Sequence, residues 1–216
     1  MFHDIEQNSD DWFQMRAGKV TSSALSKIMA NYGKAFGKPA HDYAVKIAAE
    51  QALCSPLTSS SYSNEHMERG HEQEPLARML YEQETFCSVD NGGFFDLGNI
   101  GCSPDGLVGD DGVIEIKSVI PSVHFANIKR GSFDPAYQWQ LKGNLKFTGR
   151  KWIDFISYCH DFPAAQRLYV FRLHSENYIE DFEKIDARLA EFFGLLDEIK
   201  QTLFNSKYFL SDKEAA

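Results

Sequence analysis

The segment Cys102 to Ser118, CSPDGLVGDDGVIEIKS, sets Asp105, Glu115 and Lys117 into a run that otherwise reads as buried strand. Side chains alternate faces along a strand. Val113, Glu115 and Lys117 therefore share one face, and Ile114 and Ile116 the other. Glu115 and Lys117 stand about 7 Å apart along the chain. Gly109-Asp110-Asp111-Gly112 reads as the closing turn of a hairpin. A three-residue loop, or a bulge, sets Asp105 opposite Glu115; a strict two-residue turn sets it opposite Ile116. The first arrangement is expected here.

Two carboxylates and an amine on one partly buried face are costly unless something compensates them. A hard divalent cation would do so. Mg²⁺, or Mn²⁺ in its place, prefers carboxylate and carbonyl oxygen and keeps waters and substrate phosphates. Asp105 and Glu115 can bind it directly, and the Ile116 carbonyl can add a backbone ligand. Such a cation makes a water more acidic, and Lys117 could hold that water or take its proton beside a phosphodiester. Carboxylates raise the lysine pKa, while burial and a metal lower it; the sequence leaves these opposed. Glu-x-Lys alone also suits the wet face of a surface hairpin. The Pro-Asp about ten residues upstream, with a glycine-rich turn between, favours the catalytic reading.

The elements that position these groups must come from a chain of 216 residues, enough for one domain spanning 1–216 with a sizeable core. No apolar run approaches the roughly 18 residues that span a bilayer, and MFHDIEQNSDDW lacks the apolar heart of a signal peptide. A soluble cytoplasmic protein without a membrane partner is expected. The four cysteines, at 54, 87, 102 and 159, form no C-x-x-C pair and read as reduced thiols rather than a zinc site. Net charge is −9, against general nucleic-acid affinity, but the charges segregate. Residues 16–46 and 122–151 carry 12 of the 22 basic residues and 2 of the 31 acids, while eight acids fall between Glu176 and Glu198. A positive side and a negative side are expected.

Ser9-Asp10-Asp11 predicts a capped helix through Trp12 and Met15, stopping near Gly18. Thr21-Ser22 predicts the cap of a second, with Leu25, Ile28 and Met29 inward. NYGKAFGKPA reads as a loop, residues 41–54 as a helix, and LCSPLTSSSYSNE as a mobile Ser-rich segment. Helical sequence over 64–83 contains Pro75, so the helix restarts there or kinks. TFCSV, GGFFDL, GLVG and GVIEIKS read as strands, 122–130 and 134–147 as helices, and WIDFISYC and RLYVFRL as further strands. Phe182, Ile185, Leu189, Phe192, Phe193, Leu196, Ile199 and Leu203 recur at steps of three and four, an amphipathic helix over about 177–204. Helices bracket strands, so the expected class is α/β, a central mixed sheet flanked by helices.

Asp105…Glu115-Ile116-Lys117 resembles the PD-(D/E)-x-K nuclease superfamily. WFQMRAGKVTSS, RGHEQEPLARMLYE, CSPDGL, EIKS and QLKGNLKFTGRK occur in the order and spacing of the phage lambda exonuclease family, over residues 9 to about 173. The resemblance implies a restriction-endonuclease-like core. It implies an Mg²⁺-dependent exonuclease that digests one strand of linear double-stranded DNA from a 5′-phosphorylated end, leaving a 3′ single strand for recombination. It also implies a ring-shaped homotrimer and a single-strand annealing protein as partner, in a bacterial or phage-infected cell. Carried over by motif, Asp105 and Glu115 match the metal carboxylates, Lys117 the catalytic lysine, and Glu74 a helix glutamate near a second metal or its water. Gln140 matches an active-site glutamine, with Gln138 as competitor should the register slip by two. Arg16, Ser23 and Ser103 match positions that hold the 5′-phosphate. Each has a plainer alternative: Arg16 at a helix C-terminus, Ser23 in a first helical turn, Ser103 before Pro104 in a turn, Glu74 beside Pro75 as a first-turn acid, Gln140 on the surface. Two rival functions are a site-specific endonuclease of the same superfamily and a non-catalytic DNA-end binding scaffold.

Overall fold

The computed structural model describes residues 1–57 and 65–205. Most of the predicted Ser-rich segment lies outside the described residues.

Two four-stranded sheets divide the strands. In the first, β1 (Phe2–His3), β3 (Phe94–Asp96), β4 (Ile100–Cys102) and β2 (Val20–Thr21) lie in the order β1-β3-β4-β2, with β2 parallel to β4. In the second, β5 (Gly106–Val108), β6 (Gly112–Ser118), β7 (Trp152–Tyr158) and β8 (Leu168–His174) run in sequence order, with only β6 and β7 parallel. The mixed sheet flanked by helices is present, but it is split. Ser103-Pro104-Asp105 carries the chain from β4 to β5, and proline has no N–H to continue a ladder. Gly92 lets this connection pass: a Cβ there would sit 1.7 Å from the Pro104 carbonyl oxygen.

The β5–β6 loop is Gly109-Asp110-Asp111, with Val108 opposite Gly112 and Gly106 opposite Ile114. Continued one position, this register sets Asp105 opposite Glu115, the expected three-residue arrangement. The long β6–β7 crossover holds α5 (Pro121–Arg130), closed by left-handed Gly131, and α6 (Gln138–Thr148), closed by left-handed Gly149.

The two faces of the second sheet are buried differently. Ile114, Ile116, Ile156 and Tyr158 pack against Ala77 and Tyr81 of α4 (Glu65–Thr85). Val113, Ile153 and Phe155 pack against Leu141 and Leu145 of α6. Glu115 and Lys117 therefore belong to the α6 face. A further core joins α2 (Leu25–Met29), α3 (Lys38–Leu53) and α7 (Ile179–Asn205), where Ile185, Leu189, Phe192 and Leu196 are buried. Leu203, at the end of the predicted stripe, is exposed.

Several expectations are corrected. α4 runs uninterrupted through Pro75, so Glu74 lies within the helix rather than in a first turn; the lost N–H bond is offset by Ala77 and Tyr81, both fully buried. The helix also takes Thr85, and TFCSV is no strand; only Asp90 bridges to Leu107. Packing of the preceding turns overrides β propensity there. Thr21 makes no capping bond, and the segment after it is a 3₁₀ turn, Ser22–Ala24, before the five-residue α2. α3 begins at Lys38, three residues earlier than read. The segregated charges also meet in space, because α6 lies on α7: Lys142 pairs with Asp181 at 2.7 Å and Lys146 with Asp186 at 2.8 Å.

Candidate active site

The hairpin delivers Asp105 and Ile116 to one edge. The Ile116 N–H donates to Asp105 Oδ2 at 2.6 Å. Within a strand a residue's N–H and C=O issue from the same side, so the Ile116 carbonyl leaves from the edge that faces Asp105. On the α6 face, Lys117 Nζ lies 2.5 Å from Glu115 Oε1. Gln140, and not Gln138, donates to that same oxygen. Asn144 Nδ2 donates to Glu115 Oε2 at 2.8 Å. The Lys117 ammonium lies 5.0 Å from the Tyr137 ring centroid.

A cavity of about 770 Å³ opens on this cluster, lined by Glu74, Asp105, Ile116, Lys117, Arg69 and Tyr137 among others. Glu115 stands behind it at 1% side-chain exposure, whereas Lys117 keeps 21% through the opening. Arg78, one turn past Glu74 on α4, lies 3.4 Å from Glu74 Oε1 and donates to the Asp105 carbonyl. It ties the helix to the hairpin.

The electrostatics are those of crowded acids. Burial, and then the charge of Asp105, push the Glu115 carboxyl up to about 7. The same two causes push Glu74 up to about 7. Asp105 is also raised, by burial. Burial works against the Lys117 charge, but Glu115 and Asp105 outweigh it and leave the lysine raised. Between burial and the carboxylates, the carboxylates thus prevail and favour the ammonium form in the cation-free site.

The donors facing one another are all oxygen. Among the described residues no group of three or more His, Cys, Asp or Glu is disposed to hold a metal ion. The cluster offers oxygen donors rather than the thiolate and imidazole set that structural zinc takes. It suits Mg²⁺ or Mn²⁺, which take one or two carboxylates and fill the remaining positions with water and substrate oxygen. Asp105, Glu115 and the Ile116 carbonyl fit that requirement, with Glu74 across the same cavity.

Arg16, Ser23 and Ser103 meet at a second place. α1 (Asp10–Arg16) is capped by Ser9, whose hydroxyl accepts from Trp12 N–H, and Arg16 ends the helix. The guanidinium lies 3.9 Å from the Trp12 ring centroid, one helical turn back. It donates to Ser103 Oγ at 3.0 Å and to Ser23 Oγ at 3.5 Å. Trp12 Nε1 donates to the same Ser103 oxygen at 2.9 Å. A cavity of about 330 Å³ here is lined by Arg16, Lys19, Lys27 and Lys46, the hydroxyls of Thr21 and Ser23, and the carboxylate of Glu50. Lys19 is paired with Asp96 and Lys46 with Glu50, but no ion pair of the described residues involves Arg16 or Lys27. Burial pulls Arg16 down to about 10. A half-buried cation held by neutral hydroxyls favours an anion arriving from outside.

Sequence reasoning passed over Asn144, Arg78, Trp12 and the three lysines. Asn144 lies four residues after Gln140, and Trp12 four before Arg16, so helical spacing held the signal for both.

No curated protein matches the chain. Among solved structures, LHK-Exo in complex with dAMP is 32% identical, covers 91% of this chain and 99% of its own, and superposes with a TM-score of 0.77. LHK-Exo described as an alkaline exonuclease from Laribacter hongkongensis is 31% identical over the same shares, with a TM-score of 0.75. A phage related exonuclease from Haemophilus somnus 129PT is 16% identical, over 86% of this chain and 96% of that one, with a TM-score of 0.65; this is a likeness of fold. The YqaJ-like viral recombinase domain matches residues 11–151, well over half of the length. By that match and the LHK-Exo identity, the chain belongs to the YqaJ-like viral recombinase family, the lambda-exonuclease-like nucleases.

Proposed function

We propose that this chain is a Mg²⁺-dependent exonuclease that digests one strand of linear duplex DNA from its 5′ end and leaves a 3′ single strand for recombination. The observation that carries this reading is the connection Ser103-Pro104-Asp105. Ser103 Oγ accepts from Arg16, which lines the anion cavity, and Asp105 lines the carboxylate cavity. One residue, Pro104, separates them, so their Cα atoms lie at most about 7 Å apart. A terminal phosphate anchored at the first therefore has its neighbouring linkage beside the second.

Asp105, Glu115 and the Ile116 carbonyl would hold the cation, with Glu74 serving a second ion or its water. A divalent cation supplies Lewis acidity toward a phosphoryl oxygen and a lowered water pKa. Gln140 and Asn144 fix the Glu115 carboxylate. Lys117, charged and facing the cavity, would hold the attacking water and give a proton to the leaving oxygen as its bond to phosphorus breaks, the water's proton then restoring the ammonium. Arg16, Ser23 and Ser103 bind the 5′-phosphate bidentately and by hydroxyl. That contact sets polarity without reading base sequence. We assign residues 1–216 to one nuclease domain acting as a homotrimeric ring in the cytoplasm, with a single-strand annealing protein receiving the product. Family membership supports this assembly.

The test uses linear duplex labelled at either the 5′ or the 3′ end, with and without a 5′-phosphate. Mg²⁺-dependent release from the phosphorylated 5′ end is expected. Release first from the 3′ end reverses the polarity, cutting of closed circular duplex points to an endonuclease, and binding without release points to a scaffold.

A further inference from the structure

A buried chain of hydrogen bonds joins the two cavities through Ser22 and Asn144. Asn144 of α6 is fully buried, Ser22 is 2% exposed and Glu115 1% exposed. Ser22 Oγ donates to Asn144 Oδ1 at 2.5 Å. The amide of the same side chain donates to Glu115 Oε2 at 2.8 Å. Ser22 sits between Thr21 and Ser23, whose side chains line the anion cavity. Thr21 Oγ1 and Ser23 Oγ are 3.2 Å apart, in hydrogen-bond contact. Nothing cushions the junction. A Cβ on Gly143 would lie 2.5 Å from Leu25 Cδ1 and 3.0 Å from Ser22 Cβ, so α6 presses directly on the 3₁₀ turn.

We propose that Asn144 is a positioning residue that, through Ser22, couples anion occupancy of the Arg16 cavity to the orientation of Glu115 and hence to cation binding. This rests on the reading of the two cavities given above. An anion held by Thr21 and Ser23 fixes the segment from which Ser22 reaches Asn144. The amide, fixed in turn, presents Glu115 in one orientation, and the cation binds a carboxylate that is already ordered. Such coupling is reciprocal: the anion tightens the cation, and the cation tightens the anion. The enzyme would thus assemble its metal site most firmly when a 5′-phosphate is in place, a specificity device beyond simple end binding.

The test is Mn²⁺ binding, followed through the loss of the free-ion electron paramagnetic resonance signal, with and without saturating sulfate as the anion probe. In the unaltered protein sulfate is expected to tighten Mn²⁺ about tenfold, within the usual range of such couplings. Ser22→Ala leaves Arg16, Ser23 and Ser103 in place, so sulfate still binds, but its effect on Mn²⁺ should fall below twofold. Asn144→Leu should behave alike and also weaken Mn²⁺ in the absence of sulfate; if it fails to fold, Ser22→Ala decides. Through-space attraction between the two ions survives Ser22→Ala, so persistence of the full tightening in that variant overturns the proposal. An equal loss of Mn²⁺ affinity with and without sulfate marks a merely structural residue and also overturns it. The second readout is the half-saturating Mg²⁺ concentration on 5′-phosphorylated and 5′-hydroxyl duplex, which should differ in the unaltered protein and converge in Ser22→Ala. A protein that shows the sulfate–Mn²⁺ coupling yet releases no nucleotide refutes the nuclease reading and leaves the coupling standing. One that digests DNA with no such coupling does the reverse.

Discussion

The anion cavity and the carboxylate cavity lie at the two ends of Ser103-Pro104-Asp105 and are built on opposite principles. In the first, one half-buried guanidinium is met by hydroxyls and an indole ring, all neutral. In the second, three carboxylates lie close enough for Asp105 to raise both Glu115 and Glu74, and Lys117 and Arg78 offset only part of the charge. On the proposed reading the first receives an anion and the second a cation. Selectivity for the end should therefore depend on rigid groups, and turnover on groups that the cation rearranges electrostatically.

The sharpest break of that comparison is Lys117→Ala. It should lower single-turnover cleavage by roughly 10²–10⁴-fold while leaving duplex binding within a few fold, measured by anisotropy with Ca²⁺ in place of Mg²⁺. Arg16→Ala should act on the other side. Cleavage of 5′-phosphorylated ends should fall about 10–100-fold, mainly through KM, and 5′-hydroxyl ends should be nearly unaffected. Equal loss on both ends would refute the division of labour.

The pH dependence sharpens the contrast further. Glu115 and Glu74, raised to about 7, must lose their protons before a cation binds. The Mn²⁺ affinity should therefore weaken several-fold per unit as pH falls below about 7, while sulfate binding at Arg16 stays flat. For folding the sign is opposite. A carboxyl raised in the folded state contributes stability below its unfolded value, near 4.5, and that contribution is lost as pH rises through about 7. Cation-free protein should thus lose stability across that window in denaturant melts, and added Mn²⁺ should restore it most above pH 7. The smallest effect is expected from Ser9→Ala, which removes the cap of α1 and should cost about 1 kcal/mol. Some loss of 5′-phosphate preference should accompany it, since α1 carries both Trp12 and Arg16.

The carboxylate cavity was far more legible in the sequence than the anion cavity. Asp105, Glu115 and Lys117 lie within one hairpin, so alternation and a three-residue loop were enough to bring them together. Glu74 and Gln140 come from separate helices, and motif resemblance placed them where periodicity could not. Arg16 and Ser103 meet across 87 residues, a contact no local pattern encodes. The sheets show the same limit. β6, β7 and β8 have seven residues each and announce themselves. β1 and β2 have two each, too few for a period, and exist because longer neighbours receive them. Pro104 held the clue that the sheet divides, and its meaning emerged only with the strands on both sides of it in view.

That same proline-centred connection has a consequence for step size. On the proposed reading, Ser103 at the terminus and Asp105 at the cation are held apart by this short connection rather than by a hinge, so the distance between them serves as a ruler. Each cycle should advance the strand by one nucleotide, and inserting a single residue beside Pro104 should change the length of the released product before it changes which end is attacked.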